Sequence, residues 1–173
     1  MKISMNKKML EKAYELGFEF EKNYHGCAQC VIGAIYELFP EMKERKVFQS
    51  ASGLAAGIGL STEGHCGALS AGVMILSQKF GRTLRKIEDS EERRFKAYRL
   101  SEKLVEKFLG VYSSVKCKEI QKKLMGRSFY LFDPDDWEAF EKIGGHKKVC
   151  PDVVGKATKW TVEILLNEKE NKD

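Results

Sequence analysis

Five cysteines, at positions 27, 30, 66, 117 and 150, are the residues of this 173-residue chain whose chemistry stands out. Cys27, Cys66, Cys117 and Cys150 each stand where an apolar or amphipathic run begins, so each is expected at the N-terminus of its own helix. The free amides and positive dipole end of a helix favour an anion, which lowers a thiol pKa and favours the thiolate, the form that is both nucleophile and metal ligand. Lys116 and Lys118 flank Cys117, and Lys147 and Lys148 precede Cys150, but in a chain with 30 Lys and Arg most such neighbours are simply solvated. The four cysteines are 39, 51 and 33 residues apart, too far for a zinc finger or knuckle, whose ligands come in close pairs. Only tertiary folding can assemble them, which makes metal binding and folding mutually dependent.

All three histidines, His25, His65 and His146, fall within four residues before a cysteine. Each is a candidate auxiliary ligand or a donor to sulfur, against the plainer reading of a polar residue at a helix start. Cys27-Ala28-Gln29-Cys30 is a CxxC, but no strand precedes it as a thioredoxin-like site requires, and Val31 in place of His excludes covalent haem attachment. That leaves Cys30 as an extra ligand, a resolving thiol or a small buried hydrophobe. The glycines between Gly53 and Gly72 lack the lysine of a P-loop, and close backbone approach explains them at least as well as a nucleotide.

Helical periodicity dominates the chain, and the fold class expected is all-α: a single-domain multi-helix bundle with cysteines at helix N-termini, spanning residues 1–166. Eight segments follow. The first runs from Asn6 to about Asn23, the second from His25-Gly26 to the stop at Pro40, and a short third from Lys46 to Ala56. The fourth, from Cys66 to Gly81, is expected to be the most buried, since Gln49 to Gln78 carries one charged side chain, Glu63. A long charged helix from Asp89 to about Tyr112 and a short one from Lys116 to Met125 come next. Asp133-Pro134-Asp135-Asp136 opens the seventh and Cys150-Pro151-Asp152 the eighth, each with Pro and acid in the first turn. Residues 167–173 form a charged tail expected to fray.

Composition narrows the classes further. Hydrophobic residues at 43%, charged residues at 32% and only 3 Pro exclude a collagenous, Pro-rich or largely disordered chain. The net charge of +5 is interleaved with acids, as in RKIEDSEERRFKAYR, so no nucleic-acid partner is expected. Gly57, Gly59 and Gly64 interrupt the apolar stretch before it reaches the length of a spanning helix, and no membrane insertion is expected. Without a secretory pattern at its N-terminus the chain is expected in the cytoplasm, where five thiols argue for metal or redox use rather than a disulfide framework.

The same residues resemble the redox-active family named for its cysteine pattern, C_GCAxxG_C_C. Gly26-Cys27-Ala28-Gln29 is similar to the family's first element, Cys66-Gly67-Ala68-Leu69-Ser70-Ala71-Gly72 to its CGAxxG element, Cys117-Lys118-Glu119-Ile120 to the third, and Cys150-Pro151-Asp152-Val153 to the fourth. Ala71 stands where the pattern has its second Gly, and Cys30 is an addition to the four shared cysteines. The resemblance implies a helical redox-active protein, and a related domain in some cytochromes carries an iron-sulfur cluster.

Four readings follow. Cys27, Cys66, Cys117 and Cys150 could ligate an iron-sulfur cluster for electron transfer or redox sensing, with a redox partner protein. Alternatively, the thiols cycle with disulfides and no metal, Cys27 being the nucleophile, or zinc ties the helix ends together without redox change. A helical interaction protein whose cysteines are merely buried is the remaining class. No catalytic residue is assigned.

Overall fold

The computed structural model describes the backbone of residues 2–170 and the side chains of residues 6–168. Among the described residues there are eight α-helices and no strand: α1 (Lys2–Tyr24), α2 (Cys27–Leu38), α3 (Arg45–Ser50), α4 (Gly67–Phe80), α5 (Arg93–Tyr112), α6 (Cys117–Met125), α7 (Pro134–Lys142) and α8 (Cys150–Glu170). The all-α expectation is met. None of these helices is long and apolar enough to cross a membrane.

Helix α8 is the centre of the bundle and packs on α1, α2, α4 and α5. Its longest contact is with α1, and small residues let the two backbones approach. A Cβ added at Gly17 would lie 2.4 Å from Thr158 Oγ1, and one at Gly155 would lie 2.8 Å from the Tyr14 carbonyl oxygen. Tyr14 completes the clasp by donating its hydroxyl to Asp152 across a 2.8 Å hydrogen bond. Ile32, Ile35, Ile75, Leu76, Leu104, Phe108 and Val154 fill the space between α2, α4, α5 and α8. A second, smaller cluster of Met125, Phe129, Leu131 and Phe140 joins α6 to α7 and reaches Val149 and Cys150 at the start of α8.

Local chemistry sets the helix starts. Asp133 caps α7 by accepting from the Asp136 amide, with Pro134 in the first turn as the sequence predicts. Asp89, expected as the first residue of the fifth helix, instead sits outside it at positive φ and accepts from the Arg93 and Arg94 amides. The helix therefore begins at Arg93. Gly144 ends the turn after α7 in the left-handed conformation, and a single π-type turn, Gly145–Val149, runs directly into α8.

Three expectations are corrected. The third segment is helical only to Ser50, followed by a one-turn 3₁₀ piece at Ser52–Leu54. The nearly charge-free stretch is not covered throughout: Gln49 and Ser50 at the end of α3, Ser52 and Gly53 in the 3₁₀ piece, and Ile58 and Gly59 in the Gly-rich turn are exposed, and α4 begins only at Gly67. Nor is α4 singular in burial, since eight of its fourteen residues are buried against seven of twelve in α2. Apart from these three, α8 extends to Glu170, and the Glu168 carboxylate pairs with Lys96 at 2.8 Å. Residues 171–173 lie outside the described residues.

Candidate functional site

Each of the four cysteines stands at a helix start. Cys27, Cys117 and Cys150 are the first residues of α2, α6 and α8, and Cys66 is the N-cap of α4. All are free thiols. They line one cavity of about 250 Å³ together with Glu21, His25, His146 and Gln121, and its remaining wall is apolar, built by Leu124, Met125, Leu131, Trp137, Phe140 and neighbouring aliphatic side chains. Thiols separated by up to 123 residues thus share one chamber.

The loop before α4 brings two of these helix starts together. Ala56, Gly57, Ile58, Gly59 and Leu60 all have positive φ, as does Thr62. A left-handed residue with a Cβ costs about 1–2 kcal/mol, so such a run persists only where its surroundings fix it. They do: the Thr62 amide donates to Ala56 at 2.9 Å and the Gly64 amide to Gly57 at 3.0 Å. The Cys117 and Lys118 amides donate to Gly64 and Thr62 at 3.0 Å, and the Cys66 amide to Val115 at 2.8 Å. These bonds clip the start of α4 beside the start of α6. Glycine is needed at the contacts: a Cβ at Gly57 would lie 2.9 Å from the Cys117 Cβ, and one at Gly67 would lie 2.5 Å from the Cys27 sulfur. The Cys27 sulfur therefore rests on the residue after Cys66.

Backbone amides do face sulfur. Ala56 presents its N–H to Cys27, and Ala68 and Leu69 present theirs to Cys66, which lowers both thiol pKa values. Burial nevertheless wins. It pushes Cys66 up to about 11, and raises Cys27, Cys117 and Cys150 further, with the charge of neighbouring thiolates adding to the effect on all three. The expectation that helix ends would produce low-pKa thiols is thus overturned by desolvation. The flanking lysines do not offset it, and Lys118 pairs at the surface with Glu63 at 2.6 Å.

The auxiliary candidates divide. His25 and His146 both reach the cavity wall, their rings stacked with centroids 4.2 Å apart. His25 holds the Glu21 carbonyl through Nδ1 at 3.0 Å. His146 is packed against Trp137 and Phe140, and its Nδ1 pairs with the Glu141 carboxylate. Burial keeps His146 below the usual imidazole range, partly offset by Glu141. His65, by contrast, is exposed and forms a backbone bridge with Lys116 away from the chamber. Cys30 is buried but not on the wall, its sulfur donating to the His25 carbonyl at 3.0 Å.

Sequence reasoning missed Glu21. It is 3% exposed and lines the cavity, and burial raises its carboxyl to about 7, partly offset by the nearby Cys30 thiol. The available signal was its place at i+4 from Gly17 and i+8 from Ala13, on the stripe that α1 turns toward α8. Its Oε2 and the Tyr112 hydroxyl are buried without a hydrogen-bond partner. Tyr112 is also near the thiols: burial raises its phenol, with Asp152, Cys66 and Cys150 adding to the effect. Native proteins leave few such atoms unsatisfied, so the one on the cavity wall, Glu21 Oε2, points to a group that belongs there; Tyr112 does not line the cavity.

The donor set suits an iron-sulfur cluster: four thiols on an apolar wall, amides directed at two of the sulfurs, and no charged cation among the lining residues. A single ion is a poorer fit, because among the described residues no three of His, Cys, Asp and Glu are grouped closely enough to hold one. Neither a curated protein nor a solved structure matches the chain. Residues 24–164, which contain all four cysteines and the helix starts that present them, match the family described as "Putative redox-active protein (C_GCAxxG_C_C)", and the chain belongs to that family.

Proposed function

We propose that this protein binds an iron-sulfur cluster through Cys27, Cys66, Cys117 and Cys150 and uses it for electron transfer or redox sensing in the cytoplasm, exchanging electrons with a partner protein. The observation that carries this reading is the convergence of four free thiols, from four separate helix starts, on one apolar chamber. Four thiolates match the ligand count of the common clusters, and such a cluster supplies a one-electron couple when bound. The chain's own part is to present the sulfurs, to aim the Ala56, Ala68 and Leu69 amides at the charge they carry, and to exclude water with the α6–α7 wall.

The burial of the thiols supports a cationic cofactor over a bare nucleophile. In an apolar chamber the thiolate is disfavoured, whereas a metal coordinates it and removes the proton outright. A cluster-free dithiol switch has one observation in its favour, the Cys27 sulfur lying against the start of α4 beside Cys66. It would use that pair rather than the CxxC, because Cys30 is absent from the wall.

Single Cys→Ala variants separate these readings. After anaerobic reconstitution the wild type is expected to show broad visible absorbance, each of the four wall variants to lose most of it, and Cys30→Ala to keep it. Colourless wild type that loses two thiols on mild oxidation, and regains them on reduction, would favour the dithiol switch. Zinc without iron on elemental analysis would favour the structural site.

A further inference from the structure

Glu21 is supplied by α1, before the matched residues 24–164 begin, and nothing in the family pattern assigns it. It nonetheless faces the four thiols across the same cavity, close enough to act electrostatically on both Cys27 and Cys150. The Cys30 thiol lies near its carboxyl but donates to the His25 carbonyl, and Oε2 has no partner. None of the neighbouring polar side chains donates to it. His25 uses Nδ1 on the Glu21 carbonyl, His146 uses Nδ1 on Glu141, and Gln121 donates to the Cys117 sulfur at 3.7 Å while accepting from the Phe129 amide at 2.9 Å. Among the described residues no lysine or arginine lines the chamber. A nearly fully buried carboxyl on the wall it shares with four thiols, one of its oxygens without a donor, has the environment of a metal ligand rather than of an ion pair.

We propose that Glu21 is an oxygen ligand to iron in the cofactor held by the four cysteines, so that one iron differs from the others in its donor set. The inference rests on the iron-sulfur reading above and deepens it. Carboxylate is a harder donor than thiolate and favours the more oxidised metal, so this iron would be distinguishable by spectroscopy and would be held less firmly without Glu21. Oxygen ligation needs no new bond to a substrate and no electron from outside. The Glu21 O–H bond breaks, its proton passing to solvent, and an Fe–O bond forms on an iron that keeps its cysteine, so the oxygen is an additional ligand and no oxidation state changes.

The test uses full-length wild type and Glu21→Gln, which keeps the side-chain shape but is a poor ligand, each reconstituted anaerobically with isotopically enriched iron and sulfide. Mössbauer spectra of the wild type are expected to contain one iron subsite with a larger isomer shift than the remainder. Glu21→Gln is expected to lose that subsite and to surrender iron to a chelator about tenfold faster. Helicity of the cofactor-free variant reports whether it folds, and if it does not, the wild-type spectrum decides alone. A wild type that holds a cluster whose irons all show sulfur-only ligation overturns the role of Glu21 and leaves the four-cysteine reading standing. A wild type that takes up no iron overturns both.

Discussion

At the scale of single residues, the strongest effect in the site is desolvation. Cys66 has two helix amides directed at it and still rises to about 11, because an apolar chamber penalises the charged form more than dipoles reward it. Glu21 obeys the same rule, with a measurable consequence. Its carboxyl is raised from 4.5 to about 7, so the folded cofactor-free protein binds this proton more tightly than the unfolded chain does. The contribution is fully present below about pH 4.5 and is lost as pH rises through about 7. The shift corresponds to about 3 kcal/mol. Thermal melts of the cofactor-free protein across that window should therefore show a loss of stability with rising pH that is absent in Glu21→Gln. Identical pH profiles for the two proteins would show that Glu21 is not buried as described. The cysteines were legible as chemistry from their placement alone. Glu21 was not, because a glutamate on an amphipathic helix is read by default as a solvated side chain, and only the approach of α8 shows which stripe of α1 is covered.

At the scale of elements, sequence signals worked where the physics is local. Pro134 and Pro151 in first turns, Gly81 and Gly126 as stops, and Cys27, Cys66, Cys117 and Cys150 at helix starts follow from short-range rules, and the structure places them so. The glycines from Gly57 to Gly64 marked a turn before α4, but not its left-handed run, which is fixed by bonds within the loop and, from Thr62 and Gly64, by the Lys118 and Cys117 amides more than fifty residues away. Asp89 misled, since its side chain caps a helix that begins four residues later. The α1–α8 contact offers a test at this scale. Because a Cβ at Gly155 would meet the Tyr14 backbone at 2.8 Å, Gly155→Ala should force the helices apart and destabilise the fold by about 1–3 kcal/mol in urea melts. An unchanged midpoint would mean that α1 and α8 do not touch at this point.

At the scale of the whole molecule, the four helices that carry the wall cysteines meet only because α8 gathers α1, α2 and α4 on its sides while the α6–α7 pair closes the chamber from above Val149 and Cys150. A cofactor bound there would tie together segments spread over most of the chain, so loading and stability are coupled by mass action. Membership of a family described as redox-active fits a chamber of this kind, and burial of its thiols disfavours free thiolates. The most direct measurement is iron and acid-labile sulfide per chain after purification and reconstitution without oxygen. A four-cysteine cluster predicts both elements in comparable amounts, two to four of each per chain for the common cluster types, with matching visible absorbance. Protein that is folded and fully reduced at all five thiols, yet remains colourless and free of iron, would contradict it.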